Sequence, residues 1–190
     1  MSETSHVVDI IVYVLSHSTQ APTTDEDRLI GVFSDHDTAT NAIDLLRVKP
    51  GFRDWPQGFV LDEYKLGEDN WKEGFAWNDQ TKSGELADWV LECFTVDPAP
   101  NVFVLLHRRF AGIHEIVSNI GFYPAHGEAV AAAHRLVNAS GFRSFPQGFV
   151  VLGLHKNTIH WEEGFEAQEA RLCRLLSCTP SSLPPDHRPA

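Results

Sequence analysis

The chain has 190 residues, 43% of them hydrophobic and 22% charged, with a formal net charge of −11. That balance excludes global disorder, and the acidic charge, with Arg108-Arg109 as the one adjacent basic pair, argues against a nucleic-acid surface built on clustered Lys and Arg. Cys93, Cys173 and Cys178 are odd in number and lack metal-ligand spacing with His, so they read as free thiols of a reducing, cytoplasmic compartment. Met1-Ser2-Glu3-Thr4-Ser5 has no basic signal-peptide start, and no apolar run approaches the roughly 20 residues needed to span a bilayer.

Residues 7–15 are rich in β-branched side chains on both faces and predict a strand inside a sheet. A polar loop over 18–27 leads to a second strand, 28–33, which pairs with the first as a hairpin. Ser34 is placed to cap a helix starting at Asp35, with Asp37 completing a capping box. Ala39, Ala42, Ile43 and Leu46 form its apolar face, and Pro50-Gly51 stops it. A third strand, 59–66, puts Val60, Asp62, Tyr64 and Leu66 on one face and Phe59, Leu61, Glu63 and Lys65 on the other. Trp71-Lys72-Glu73-Gly74-Phe75 then forms an aromatic clamp that closes the unit.

The same plan returns. Gly51-Phe52-Arg53 and Pro56-Gln57-Gly58-Phe59-Val60 recur as Gly141-Phe142-Arg143 and Pro146-Gln147-Gly148-Phe149-Val150, an offset of 141 − 51 = 90 that also carries Trp71, Glu73, Gly74 and Phe75 onto Trp161, Glu163, Gly164 and Phe165. The second copy predicts strands over 102–107, 116–123 and 149–154 and a helix over about 127–137. Its third strand, Phe149 to Leu154, has lost the polar positions of Asp62, Glu63 and Tyr64, which implies burial on both faces. Residues 85–94 between the copies predict a short helix ended by Asp97-Pro98-Ala99-Pro100. A closing helix is expected at 166–176 and a disordered proline-rich tail at 179–190.

The division is therefore repeat unit 1 at 7–77, a linker with a short helix at 78–100, repeat unit 2 at 101–165, a C-terminal helical segment at 166–178 and the tail. A unit near 75 residues has a thin core alone, so the two are expected to share one. The expected fold is α+β: two tandem ββαβ units packed by pseudo-twofold symmetry, with helices on one face of antiparallel sheet.

Tyr13-Val14-Leu15-Ser16-His17, Leu29-Ile30-Gly31-Val32-Phe33-Ser34, Gly51-Phe52-Arg53, Gln57-Gly58-Phe59 and Trp71-Lys72-Glu73-Gly74-Phe75 together carry a resemblance. The chain resembles a small bacterial domain of unknown function with the pattern YVLxH, KLIGVYS, PGFRDxPxGF, IDEY and WxEGF, here duplicated in tandem. The second copy keeps His107, Gly141-Phe142-Arg143 and the clamp but loses the IDEY-like segment. The resemblance implies no activity, substrate or catalytic residue.

His17 and His107 stand at equivalent ends of the first strands, where an imidazole serves as a general base or, more commonly, bonds to backbone. His36 and His126 form a second matched pair near the helix starts, but neither HExxH nor CxxC occurs, and no metal or cofactor is expected. Arg53 and Arg143 are expected to pair with Glu73 and Glu163 of their own units, tying turn to clamp, with Trp71 and Trp161 as core aromatics. Residues specific to copy one, Asp54, Trp55, Asp62, Glu63, Tyr64 and Trp77, combine acids with aromatic anchors, the mixture of a protein-binding site. An acidic strand edge that deters aggregation is the plainer reading of the same residues.

These features point to a non-catalytic binding or regulatory protein with a protein partner of basic character, in one form an immunity-type inhibitor, and with no nucleic-acid or membrane partner. A small hydrolase using His17 or His107 as base and a self-associating scaffold are the alternatives.

Overall fold

The computed structural model describes residues 10–18, 27–75, 91–95, 99–111 and 114–165. The first repeat forms β1 (Ile11–Ser18), β2 (Asp27–Phe33), α1 (His36–Leu46) and β3 (Phe59–Lys65). There follow β4 (Glu92–Thr95), β5 (Val102–Ala111), β6 (His114–Tyr123), α2 (His126–Leu136), a 3-10 turn at Pro146–Gly148 and β7 (Phe149–Leu154). Expectations for Trp77, most of the linker, the C-terminal helix and the tail lie outside the described residues.

Two sheets result, ordered β2-β1-β3 and β4-β7-β5-β6, so the fold is mixed α+β. The first is antiparallel, and its alternation places Leu15, Ile30 and Phe33 under α1, whose Ala39, Ala42 and Leu46 close that core. On its other face Val12, Val14 and Val32 meet Val102, Val104, Phe122 and Leu154 of the second sheet in one buried cluster. The sheets thus pack face to face, and α2 covers the far side of the second sheet through Ala129, Ala132, Ala133 and Leu136. β7 is buried along nearly all its length, as its apolar sequence requires.

Three local expectations are corrected. The helix cap is Asp35, not Ser34: the Asp35 carboxylate accepts from Thr38 N at 2.7 Å, while Ser34 N donates to Asn157 Oδ1 at 2.8 Å. The segment expected to be helical through Phe94 ends in strand β4, which pairs in parallel with β7, Glu92 opposite Val150 and Thr95 opposite Gly153, so this sheet is mixed and not purely antiparallel. The backbone groups it turns toward β7 are paired there, which overrides a weak amphipathic pattern.

The third correction concerns the clamps. Neither closes its own repeat. Trp71 packs on Phe142 (ring centroids 5.2 Å apart), and Gly74 bridges to Gly141. Trp161 packs on Phe52, again at 5.2 Å. The crossing segments also bond the outer edges of β6 and β2: Gly67 N to Phe122 O and Asn70 N to Ile120 O, with Asn157 N to Val32 O and His160 N to Ile30 O at the ninety-residue offset. Ile30 and Ile120 are the bulge residues where the β1–β2 and β5–β6 registers shift, which leaves their carbonyls available. A Cβ on Gly141 would lie 1.9 Å from Glu73 O, so only glycine admits this crossing. With Glu73 carried to the other repeat, the expected Arg53–Glu73 pair is not formed; among the described residues Arg53 Nε lies 3.7 Å from Asp54.

The two crossings differ in chemistry. Tyr123 OH donates to Asp69 Oδ1 at 2.5 Å, and Arg135 Nη2 holds both oxygens of that carboxylate at 2.9 and 3.0 Å. Burial and the adjacent carboxylate push the Tyr123 phenol well above its ordinary pKa. At the ninety-residue offset stand Phe33, Ile159 and Leu45, and Ile159 packs against the apolar cluster that contains Phe33.

Loss of the shared cluster would expose three buried valines of the first repeat, worth roughly 5–9 kcal/mol and comparable to the whole stability of a domain. Residues 1–98 and 99–190 produced separately are expected to show no cooperative melting, and mixing them should restore one transition; two halves that each melt cooperatively would refute this. Tyr123→Phe should cost about 1.5–3 kcal/mol in chemical denaturation by removing a hydrogen bond to the Asp69 carboxylate, which Arg135 alone then holds. Tyr123→Phe combined with Asp69→Ile, which copies the apolar crossing, should recover most of that loss.

Candidate functional site

The two histidines shared by the repeats occupy equivalent, sealed boxes. His17 and His107 are both 0% exposed. His17 Nε2–H donates to Trp55 O at 2.9 Å, and His107 Nε2–H donates to Phe145 O at 2.8 Å. A carbonyl only accepts, so this bond fixes the Nε2–H tautomer and leaves Nδ1 as a bare lone pair, with no hydrogen-bond partner among the described residues. Around His17 stand Phe59 at 4.6 Å, Phe52 at 5.0 Å, Phe165 at 5.8 Å and Trp161 at 6.3 Å. Around His107 stand Phe149 at 4.8 Å, Phe142 at 5.0 Å, Phe75 at 5.6 Å and Trp71 at 6.4 Å.

Each box therefore takes two walls from its own repeat and two from the other repeat's clamp. The glycine of Pro-Gln-Gly-Phe is explained at the same place. A Cβ on Gly58 would lie 2.1 Å from Ser18 O and 2.8 Å from His17 Nε2; on Gly148 it would lie 2.3 Å from Arg108 O and 2.8 Å from His107 Nε2.

Burial lowers the pKa of both imidazoles, against the smaller opposing effect of the carbonyl bonds; Asp27 raises that of His17 slightly, and Arg109 lowers that of His107 further. A ring held this way is neutral and closed to solvent. Its role in the geometry is to fill and fix the box, since a general base must reach the proton it abstracts.

His36 and His126 lie apart from these boxes, exposed at the first positions of α1 and α2, with their rings edge-on to Tyr13 (5.8 Å) and Phe103 (5.7 Å). Among the described residues no group of three or more His, Cys, Asp or Glu is placed to hold a metal ion. One pair escaped sequence reasoning: His126 Nε2 lies 3.3 Å from Cys93 Sγ. The two are 33 positions apart and meet only because β4 pairs with β7, so no spacing announces them. Burial pushes the Cys93 thiol pKa up, which keeps it protonated and a poor nucleophile.

The copy-one residues are divided by the fold. Asp62 and Glu63 are exposed on β3 and point to opposite faces of the sheet. Tyr64 is half-buried, its ring 4.8 Å from Phe122 in the cluster between the sheets, and burial raises the pKa of its phenol. Asp54 is exposed; Trp55 is half-buried and serves His17 through its carbonyl. Among the arginines and acids of the repeated motif, Arg143 and Glu163 are exposed, and Glu163 accepts from Glu162 N at 3.2 Å. Among the described residues no helix is long and apolar enough to cross a membrane. Comparison with protein families, curated proteins and solved structures finds no match to the chain.

Because each imidazole has a depressed pKa in the folded state, the unfolded chain binds more protons once the pH falls below the ordinary value of about 6.5. The stability due to these groups is present above that pH and is lost as the pH falls toward the folded-state values. A His17→Gln, His107→Gln variant, which keeps a side-chain N–H for each carbonyl, should show a smaller fall in melting temperature between pH 7 and pH 5 than the wild type. Parallel declines would remove the histidines from the acid response.

Proposed function

We propose that the chain is a non-catalytic binding protein whose acidic β3 surface engages a basic protein partner, in the manner of an immunity protein that masks a toxin. In this reading it is a cytoplasmic, tandem form of the small bacterial domain whose motifs it resembles. Two ββαβ units, 7–77 and 101–165, are related by a pseudo-twofold axis and share one core. Contacts that return at the ninety-residue offset on both sides of the molecule support that arrangement.

The observation that carries the binding role is the contrast between equivalent strands. β7 is apolar and buried, while β3 keeps Asp62 and Glu63 exposed, with Val60 beside them at 41% exposure. The glycines and aromatics common to both repeats are spent on the histidine boxes and the crossings, whereas Arg53, Gln57, Arg143 and Gln147 are exposed in both; what distinguishes the repeats is the acidic β3 surface. An exposed carboxylate pair contributes little to stability but steers a basic partner through long-range attraction.

Replacing Asp62 by Asn and Glu63 by Gln should slow association with a captured basic partner several-fold and flatten its salt dependence, with unfolding free energy changed by less than about 0.5 kcal/mol. Surface-based kinetics at two salt concentrations measures both. An unchanged association rate would exclude this surface from the interaction.

A further inference from the structure

Sheet edges are the places where a fold is open to another chain, and among the described residues this molecule covers two of its four. The outer edge of β2 is bonded by 157–160 and that of β6 by 67–70. β7, the counterpart of β3, carries β4 in parallel along Glu92–Thr95. What remains among the described residues is β4 itself, only four residues long, and the seven-residue β3, which ends its sheet with β1 as its single neighbour.

The backbone of β3 is set for a partner. Ser18 N donates to Gly58 O and Leu66 N to Ile10 O, so the even-numbered residues of β3 direct their N–H and C=O groups at β1. Leu61 and Glu63 therefore direct theirs at the open edge. The residues ninety positions before β4, Ser2-Glu3-Thr4-Ser5, lie outside the described residues; in sequence they are polar and carry an acid where β3 is already acidic.

We infer that the open edge of β3 takes an extended segment of the partner as an added parallel strand, in the register that β4 adopts on β7. The inference rests on the binding role proposed above and specifies its mode. Shifted by ninety, the β4–β7 register sets four partner residues opposite Val60, Leu61, Asp62 and Glu63. Where Phe94 meets Leu152, the incoming strand meets Asp62, and where Thr95 meets Gly153 it meets Glu63. The segment that fits is thus two apolar residues followed by two basic ones, its basic side chains falling on opposite faces to match the two carboxylates. Main-chain hydrogen bonds provide the affinity and the charge order provides the direction.

The test uses the full chain and a blocked synthetic peptide, TTVIKRTT, with its reversed sequence TTRKIVTT as control. In an NMR titration the forward peptide should shift signals across 59–65 and slow amide exchange at Leu61 and Glu63 by about tenfold or more. The reversed peptide should bind at least about fivefold more weakly. Glu63→Pro removes one outward N–H without touching the β1 ladder and should abolish binding, while Glu63→Gln, which removes only the charge, should weaken it by about two- to fivefold. Should Glu63→Pro fail to fold, the exchange measurement on the wild type decides alone. Equal binding of both peptides, perturbation away from β3, or amides of Leu61 and Glu63 already protected in the free chain would each overturn the added strand. A basic partner whose association depends on Asp62 and Glu63 while Leu61 and Glu63 amides stay unprotected would leave the binding role standing and sink only this mode.

Discussion

The structure depends on a reciprocal burial: each repeat encloses a neutral histidine that the other repeat must cover. Among the described residues His17 and His107 have one hydrogen bond each and are ringed by aromatic side chains, half of which arrive from across the molecule. An imidazole with a bare, desolvated nitrogen is a poor core residue in isolation, since its lone pair gives up water without a replacement. It is tolerable where the ring also orients a turn, as here, where each imidazole ties its own strand end to the carbonyl before Pro56 or Pro146. Removing a clamp would wet that nitrogen and expose Phe52 or Phe142 together, which couples the stability of each repeat to the other's chain.

This explains why the repeated motif is so legible and so uninformative about activity. Gly58 and Gly148 make room for the histidine, Phe52 and Phe142 wall it, and Trp71 and Trp161 reach it from the opposite repeat. Their periodicity and offset placed the hairpins, both helices and the buried β7 from sequence alone. The direction of the clamps was not legible, because closing one's own repeat and closing the other's require the same residues at the same spacing. The bonds of the 67–70 segment to the edge of β6 decide it. β4 was hidden for a related reason: four residues have no periodicity to read, and their strand conformation is imposed by β7. The helix cap went to Asp35 since Ser34 is engaged by Asn157, 123 positions away.

Divergence between the copies has two different physical sources. At the crossings, Tyr123, Asp69 and Arg135 form a satisfied polar cluster where the other side has Phe33, Ile159 and Leu45. Either solution is self-consistent, the half-buried Asp69 carboxylate finding two partners on one side and Ile159 an apolar cluster on the other.

On the third strands the divergence follows from coverage. β7 is buried at every position but the half-buried Leu152, and a side chain at Gly153 would meet Pro100 and Thr95, so there is little room for polar groups there. β3 has an open side and keeps Asp62 and Glu63 in water. If two copies of the chain paired antiparallel through β3, acids would stand close to acids, a repulsion that disfavours edge-to-edge association. The same charges attract a strand of opposite sign. One pair of carboxylates thus discourages the commonest wrong partner, another copy of the chain, and favours a basic one, so protection of the edge and selectivity at it are a single electrostatic property.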